Sequence, residues 1–330
     1  MKYANIGGQA VMEGIMMRHK DRYAVAVRKE NHEIEVKSDV HISYGKRFHV
    51  SGIPIVRGAF AFVDSLVLGM QTLTWSASFF EEEEESEEPS DRRRTESAEI
   101  SDKKKAETAE HSDEEKEKTS DKLFMALTVV LSLALSIGLF MILPFFISNI
   151  FRRATDSSLI LGIIEGLVRV VIFIAYIVLI SRMKDIQRLF MYHGAEHKTI
   201  NCIEHGEELT PENAAKYSRF HKRCGTSFLF IVMFVSILFF LLFFQIFPME
   251  SMALKVVCRI LMVPLIAGVS YEIIQWAGRH DSGLVCLVSK PGFWMQKFTT
   301  KEPDMEMLEV AIASIEAIYD WREFQKDLTE

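Results

Sequence analysis

The sequence predicts a mainly α-helical integral membrane protein with about four transmembrane helices, a small N-terminal β-rich cytoplasmic unit and a cytoplasmic helical middle loop. Residues 123–147 and 226–247 are uncharged stretches of 25 and 22 residues, each long enough to cross a bilayer as a helix. Two further apolar runs, 159–181 and 252–274, contain only a few charged residues. We therefore predict that these two runs also cross the membrane.

The predicted helices form two pairs, within residues 123–181 and 226–274. The middle loop between the pairs, 182–225, contains eight Lys and Arg residues, whereas the loop inside the first pair, 148–158, has two and the loop inside the second, 248–251, has none. Positively charged loops stay on the cytoplasmic side. We therefore place the middle loop and both termini at the cytoplasmic side of a bacterial inner membrane, with the lipid bilayer as partner.

The segments outside the transmembrane pairs differ in character. Residues 1–58 contain alternating apolar positions around a polar turn at 29–32, which predicts a hairpin in a small β-rich unit. Residues 59–80 are apolar but contain Asp64, which predicts an amphipathic or interfacial helix. Residues 275–330 are predicted to end in an amphipathic helix on the cytoplasmic domain. Its apolar positions at helical spacing are Leu308, Ala311, Ile312, Ile315, Ile318 and Trp321.

The net charge of the chain has a local origin. The formal charge is −7, but residues 81–122 hold 18 acidic and 9 basic side chains, which leaves +2 for the remainder. This balance argues against a nucleic-acid-binding protein. The acidic tract has few apolar residues to offset its ordering entropy, so we predict a disordered linker. The four cysteines are irregularly spaced, which favours a reducing compartment and no structural disulfide.

The middle loop contains the sequence His193-Gly-Ala-Glu196-His197. Residues four apart share a face of a helix, so the two imidazoles can converge on one metal ion. This H-x-x-E-H order is that of the inverted zinc-hydrolase signature, in which the Glu activates a water molecule on the metal. We predict His193 and His197 as ligands of a divalent metal, zinc, and Glu196 as the general base. The alternative is a pair of interfacial histidines at the end of a membrane helix.

A second cluster, His221 and Cys224, lies directly before the third transmembrane helix. Thr210 followed by Pro211 predicts a helix start between the two clusters, so the loop is expected to fold and to return the chain to the first cluster. His193, His197, His221 and Cys224 would form a set of donors suited to zinc. If all four bind, the coordination is closed and the metal is structural. If three bind, one position stays open for catalysis.

Three further carboxylates are candidates for an alternative ligand or for a hydrogen bond to a ligating histidine: Glu272, Glu204 and Glu13. Glu272 lies in the fourth transmembrane helix, where ionisable groups are costly and tend to be functional or paired. Its alternative role is an ion pair with Arg279 or with a basic residue of the middle loop. Glu13 follows the run Gly7-Gly8-Gln9, for which we predict a tight turn that makes Glu13 available to the cytoplasmic site.

Several long motifs in order make the chain resemble the YqhQ family of bacterial membrane proteins, a family of unknown function that is described as predicted metal-dependent enzymes. The resemblance covers most of the chain and leaves out the acidic tract. It is carried by residues 7–14, 192–198, 221 with 223–227, 268–272 and the stretch from 291–292 onward to 299–303. The resemblance implies a metal site and supplies no substrate.

These observations lead to one functional hypothesis and one alternative. The hypothesis is a zinc-type metal-dependent hydrolase that acts at the cytoplasmic membrane surface on a peptide or lipid-linked substrate. The alternative is a non-enzymatic membrane scaffold or assembly factor whose loop is held by a closed structural metal site. The sequence contains no phosphate-binding loop, nucleophile elbow or dinucleotide fingerprint, so it gives no support to an ATPase, a serine hydrolase or a dehydrogenase.

Overall fold

A computed structural model of the chain describes residues 3–84, 127–249, 251–279 and 283–329. The chain divides into two compact units, one formed by residues 1–82 and 174–330 and the other by residues 83–173. The predicted linker lies outside the described residues, except for 81–84, which end a helix.

Eleven helices occur in the described part of the chain. In chain order they are α1 (Tyr44–Arg47), α2 (Val56–Glu84), α3 (Leu127–Arg153, with a π-helical segment at Gly138–Ile142), α4 (Ser158–Ile180), α5 (Lys184–Glu204), α6 (Pro211–Ala215), α7 (Gly225–Ile246), α8 (Met252–Arg279), α9 (Gly283–Thr299), α10 (Met305–Glu316) and α11 (Trp321–Thr329).

Four of these helices are long and apolar enough to cross a membrane, so each of the four apolar runs found in the sequence forms a candidate span. They are α3, α4, α7 and the part of α8 that ends at Ala277. Within α4, the predicted pair of Glu165 and Arg169 forms across one helical turn, with 2.8 Å between the guanidinium and carboxylate. The pairing of two charges on one helix explains how so apolar a segment accommodates them.

The N-terminal segment forms a four-stranded antiparallel meander: β1 (Ile6–Val11), β2 (Gly14–His19), β3 (Arg22–Arg28) and β4 (Ile34–Val40). The hairpin of β3 and β4 is the one that the alternation predicts. The expectation of a tight turn at Gly7-Gly8-Gln9 is wrong in position, because these residues lie within β1. The turn is at Met12 and Glu13, and Glu13 adopts a left-handed backbone with φ 45°.

The sheet is buried on both faces over its first three strands. On one face Ile15, Met17 and Ala24 belong to a large apolar core that also contains residues of α5 and α10. On the other face Val11, Val25 and Val27 pack with Leu68 of α2. The sheet is therefore the middle layer between α2 and the pair of α5 and α10, and it is part of a larger unit rather than a separate small one.

Helix α2 extends beyond the predicted range of 59–80 at both ends. Asp64, which interrupts its apolar sequence, is 2% exposed. Its Oδ1 atom accepts a hydrogen bond from the Tyr44 backbone N–H at 2.9 Å and lies 3.2 Å from the His41 ring. A buried carboxylate needs such partners, so Asp64 is explained by the fold without any chemical role.

The C-terminal segment forms two helices, α10 and α11, where the sequence predicts one. Residues 317–320 separate them. All six apolar positions predicted to face inward are buried in the core with the sheet and α5. The predicted start of α6 is also confirmed, since the Thr210 hydroxyl accepts the Asn213 backbone N–H and Pro211 takes the first helical position.

Candidate metal centre

Helix α5 presents two histidines on one face. Helix α4 ends at Ile180 and α5 begins at Lys184 after a short turn, so α5 is separate from the preceding candidate span. The His193 and His197 rings lie on successive turns with their centroids 4.5 Å apart. Gly194 fits this helix because a Cβ atom there would lie 2.0 Å from the Lys301 carbonyl oxygen. The glycine that weakens the helix in isolation is thus required for the close approach of the 299–303 segment.

Cys224 completes a group of three donors. It is the residue immediately before α7, and its Sγ atom lies 3.1 Å from His193 Nε2. Within the described residues, His193, His197 and Cys224 form the one group whose ligand atoms could hold a metal ion, all within 4.8 Å of one another. His197 and Cys224 are buried, at 1% and 4% exposed. Two sequence clusters 31 residues apart therefore meet at one point.

Both imidazoles are oriented by backbone carbonyls. His193 Nδ1 lies 2.8 Å from the Thr299 oxygen and His197 Nδ1 lies 2.6 Å from the Arg219 oxygen. Each Nδ1 therefore carries a proton and donates it, so Nε2 is the ring nitrogen that is left for another partner. Among the described residues, the buried Nε2 of His197 has no hydrogen-bond partner. Metal-ligating histidines have this arrangement, with one nitrogen held by a carbonyl and the other aimed at the ion.

The charges of the three groups are strongly coupled. Burial raises the pKa of Cys224, but the His197 and His193 imidazoles outweigh that effect and hold the pKa well below its usual value. Burial lowers the pKa of His193, while Cys224 and Glu196 raise it, with a net result of about 9. The two shifts favour an imidazolium beside a thiolate. A thiolate is the form of cysteine that binds metals.

His221 lies near the three donors but faces another partner. Its ring centroid is 5.7 Å from that of His197, and its Nε2 atom lies 3.3 Å from Glu204 Oε2. Glu204 also accepts hydrogen bonds from the Arg223 guanidinium at 2.6 Å and the Ala4 backbone N–H at 3.0 Å. Burial raises the pKa of Glu204, but His221 and Arg223 lower it overall. The structure therefore pairs His221 with Glu204 instead of placing either residue among the three donors.

Glu196 is 6% exposed and points toward the N-terminal sheet. Its Oε1 atom accepts the Gly8 backbone N–H at 2.9 Å, which is its one hydrogen bond within the described part of the chain. A Cβ atom at Gly8 would lie 2.8 Å from Glu196 Cδ. Gly8 thus leaves space for the carboxylate of Glu196, the residue that directly precedes His197 in the sequence.

The remaining two candidate carboxylates form ion pairs elsewhere. Glu272 accepts two hydrogen bonds from the Arg57 guanidinium, at 2.7 and 2.5 Å, so Arg57 is one of its charged partners. Glu13 pairs with Arg188 and accepts a hydrogen bond from the Tyr192 hydroxyl at 3.3 Å. The pairing explains both carboxylates without a metal.

Sequence reasoning missed the residues that hold the site from α9. Gln296 is 1% exposed, and its amide accepts from the His221 N–H and donates to the His221 carbonyl, both at 2.9 Å. Thr299 supplies the carbonyl for His193, and its hydroxyl lies 3.2 Å from that of Thr226. Single glutamine and threonine residues carry no motif, and the one available signal was the resemblance at 299–303.

The comparisons with known proteins place the chain in a family. Residues 53–321 match a family model described as "Protein of unknown function (DUF1385)". The chain belongs to this family. One similar protein is the "Uncharacterized protein YqhQ" of Bacillus subtilis (strain 168). The two sequences are 32% identical over 309 residues, which cover 93% of this chain and 90% of the relative. No solved structure matches. The resemblance to the YqhQ family is confirmed, and the family description supplies no activity.

Proposed function

We propose that the chain is a zinc-dependent hydrolase whose ion is held by His193 Nε2, His197 Nε2 and the Cys224 thiolate. The observation that carries the proposal is the buried Nε2 of His197, which has no hydrogen-bond partner among the residues that the structure describes and belongs to one group of ligand atoms with the low-pKa thiol of Cys224. Two imidazoles and one thiolate are donors that zinc prefers. Because His221 is engaged with Glu204, three protein ligands remain, which is the number found in catalytic zinc sites.

The ion would supply a Lewis acid that polarises a substrate carbonyl and lowers the pKa of a water molecule. Thr299 and Arg219 hold the two imidazoles in the tautomer that directs Nε2 inward. Glu196 is the general base of the proposal, since its carboxylate is buried, raises the pKa of the His193 imidazole and has one hydrogen-bond donor in the described residues. It takes the proton of the attacking water and returns it to the leaving group.

The substrate class follows from the position of the site in the chain. Cys224 immediately precedes α7, one of the four candidate spans. The proposed substrate is a peptide or lipid-linked molecule presented at the bilayer surface. The excess of basic residues in the middle loop supports a cytoplasmic location of this surface in a bacterial inner membrane.

One observation favours the alternative of a scaffold with a structural metal. Side chains of α5 bind backbone carbonyl oxygens in the part of the chain between α5 and α7. An ion that joins the α5 histidines to Cys224 would hold the same part of the chain to α5. Lys198 donates to the Ala215 and Tyr217 oxygens, and Asn201 donates to the Ser218 and Phe220 oxygens. In this reading the ion fixes the fold of the loop and Glu196 has no catalytic role.

Metal analysis of the purified full-length protein tests both readings. We expect about one zinc ion per chain, and at least tenfold less in His197→Ala and Cys224→Ser. His205→Ala is the matched control, because His205 directly follows the last residue of the same helix and its Nδ1 faces the Asn201 oxygen instead of the three donors. A wild-type protein without stoichiometric metal would overturn both readings.

Glu196→Gln separates catalysis from scaffolding. Glutamine can still accept the Gly8 N–H, so the fold and the metal content should be retained. Under the hydrolase proposal, this variant loses function in a complementation assay as completely as His197→Ala does. If Glu196→Gln complements fully while His197→Ala does not, the ion is structural and the hydrolase proposal fails.

A further inference from the structure

Helix α2 has two distinct sides. One side is buried against the sheet and its neighbours, at intervals of four residues: Asp64, Leu68, Thr72 and Ser76 are each at most 2% exposed. The opposite side carries large apolar residues that are solvent-exposed. These are Val56, Val63, Leu66, Met70 and Leu73, between 36% and 60% exposed, and we call them the α2 stripe. Residues at these spacings line one face of a helix.

The α2 stripe is a contiguous apolar surface on the unit that also contains the sheet. Leu66 and Met70, in its centre, are 58% and 60% exposed. Single exposed apolar residues are ordinary, but a continuous row of them marks an interaction surface. The row consists of Val, Leu and Met, without the Trp, Tyr or Arg residues that anchor most protein interfaces. This composition favours lipid over a protein partner.

The start of α2 is attached to the carboxyl-terminal part of the fourth candidate span. Arg57 binds Glu272 of α8, and a Cβ atom at Gly58 would lie 2.8 Å from the Gly268 carbonyl oxygen. One turn beyond Glu272, Trp276 is 44% exposed, and the span ends at Ala277. Tryptophans at the ends of spans lie at the membrane–water boundary. The first turn of α2 therefore starts at the depth of this boundary.

We propose that α2 lies in the plane of the membrane, with the α2 stripe inserted at the boundary between lipid headgroups and acyl chains. The sheet packs against the other side of α2, where Trp75 and Phe79 join the core with Leu68. A helix that crossed the bilayer would carry this sheet into hydrocarbon, whereas an in-plane helix keeps it in water. The proposal is independent of the metal and of the hydrolase function.

Site-specific photocrosslinking tests the proposal in the full-length protein. Benzoylphenylalanine is incorporated at position 66 or 70, and the protein is irradiated in nanodiscs of phosphatidylethanolamine and phosphatidylglycerol. Position 238, which is 56% exposed on the candidate span α7, is the positive control. Positions 65 and 71, exposed polar residues of α2 outside the stripe, are the matched negative controls. We expect mass spectrometry to detect phospholipid adducts at positions 66, 70 and 238. The adduct yield at these positions should be at least about fivefold higher than at 65 and 71, because 65 and 71 lie on other faces of the helix.

Every other outcome overturns the proposal. Adducts of twice the chain mass at 66 and 70 would mean that a second copy covers the stripe. Crosslinks from these positions to another part of the same chain would mean that the stripe is an internal packing surface. Absence of lipid adducts at 66 and 70, with lipid adducts present at 238, would place the stripe in water.

Discussion

Gly7 and Gly8 are neighbours in β1, but the space around their Cα atoms differs. A Cβ atom at Gly7 would meet nothing within 4 Å. A Cβ atom at Gly8 would lie 2.8 Å from both Glu196 Cδ and the Met16 carbonyl oxygen. The Met16 oxygen cannot move without disturbing the pairing of β1 with β2. An added methyl group at position 8 would therefore strain this pairing and would also have to displace the Glu196 side chain.

This difference makes a prediction for two matched variants. Gly8→Ala should destabilise the protein by about 1–3 kcal/mol, because it overpacks the contact with Glu196. Gly7→Ala should change stability by less than about 0.5 kcal/mol. Thermal unfolding in detergent measures both. Equal losses would show that the contact between Gly8 and Glu196 does not constrain the sheet.

The raised pKa of His193 predicts how zinc binding depends on pH. At pH 7 the His193 imidazole, with a pKa of about 9, holds a proton that an ion at Nε2 must displace, whereas the lowered pKa of Cys224 favours its thiolate form. We expect binding to release about one proton per zinc at pH 7, and affinity to rise with pH until about 9. Calorimetric titration in two buffers of different ionisation enthalpy counts the protons. Zinc binding without proton release at pH 7 would contradict the imidazolium–thiolate pair.

At the scale of secondary structure, sequence periodicity was a good guide to local arrangements. The shared face of His193 and His197 follows from the helical repeat, and the four candidate spans follow from their length and hydropathy. The pairing of His221 with Glu204 could not be predicted, because it depends on how the loop after α5 folds back. The sequence offers four donors, and only the tertiary structure selects three.

The packing around helix α5 predicts that Gly194 cannot be replaced without loss of stability. Alanine normally stabilises a helix by about 1 kcal/mol relative to glycine. In Gly194→Ala the new methyl group would lie 2.0 Å from the Lys301 oxygen, in the segment that follows Thr299. We expect this variant to be less stable and to lose zinc, since His193 would lose the Thr299 carbonyl.

Gly225→Ala is the matched control for Gly194→Ala. Gly225 begins α7 directly after Cys224, and a Cβ atom there would meet nothing within 4 Å. It should keep both its zinc content and its melting temperature. If Gly194→Ala retains the zinc content of the wild type, the 299–303 segment does not fix the position of His193.

For the whole molecule, the unit formed by residues 1–82 and 174–330 is joined by contacts between distant parts of the chain. The Ser314 hydroxyl of α10 donates to the Ala24 oxygen of β3, and the two residues are 290 positions apart. Reading the sequence from segment to segment suggests a separate β-rich unit and a separate C-terminal helix. Their association could not be inferred, because apolar periodicity shows that a face is buried but not what buries it.

The shared core gives a prediction for a residue far from the three donors. Ile315 of α10 is 0% exposed and packs in the core with the sheet and α5. Ile315→Ala should cost about 2–4 kcal/mol of stability through lost burial and the resulting cavity. Met305→Ala, at a 42% exposed position that begins the same helix, should cost less than about 0.5 kcal/mol. Thermal unfolding of both variants compares them, and equal melting temperatures would argue that α10 is not part of the core.

The separation of the sheet and α10 along the chain has a consequence for biosynthesis. Strands β1 to β3 are made well before α10, the helix that covers one face of the sheet, and the contact between Ala24 and Ser314 joins residues 290 positions apart. Until the ribosome has produced α10, this face stays uncovered, and such intermediates are prone to aggregate. The nascent chain should therefore depend on a chaperone or on early contact with the bilayer, and any metal would be acquired only after Cys224 and the Thr299 segment have been made.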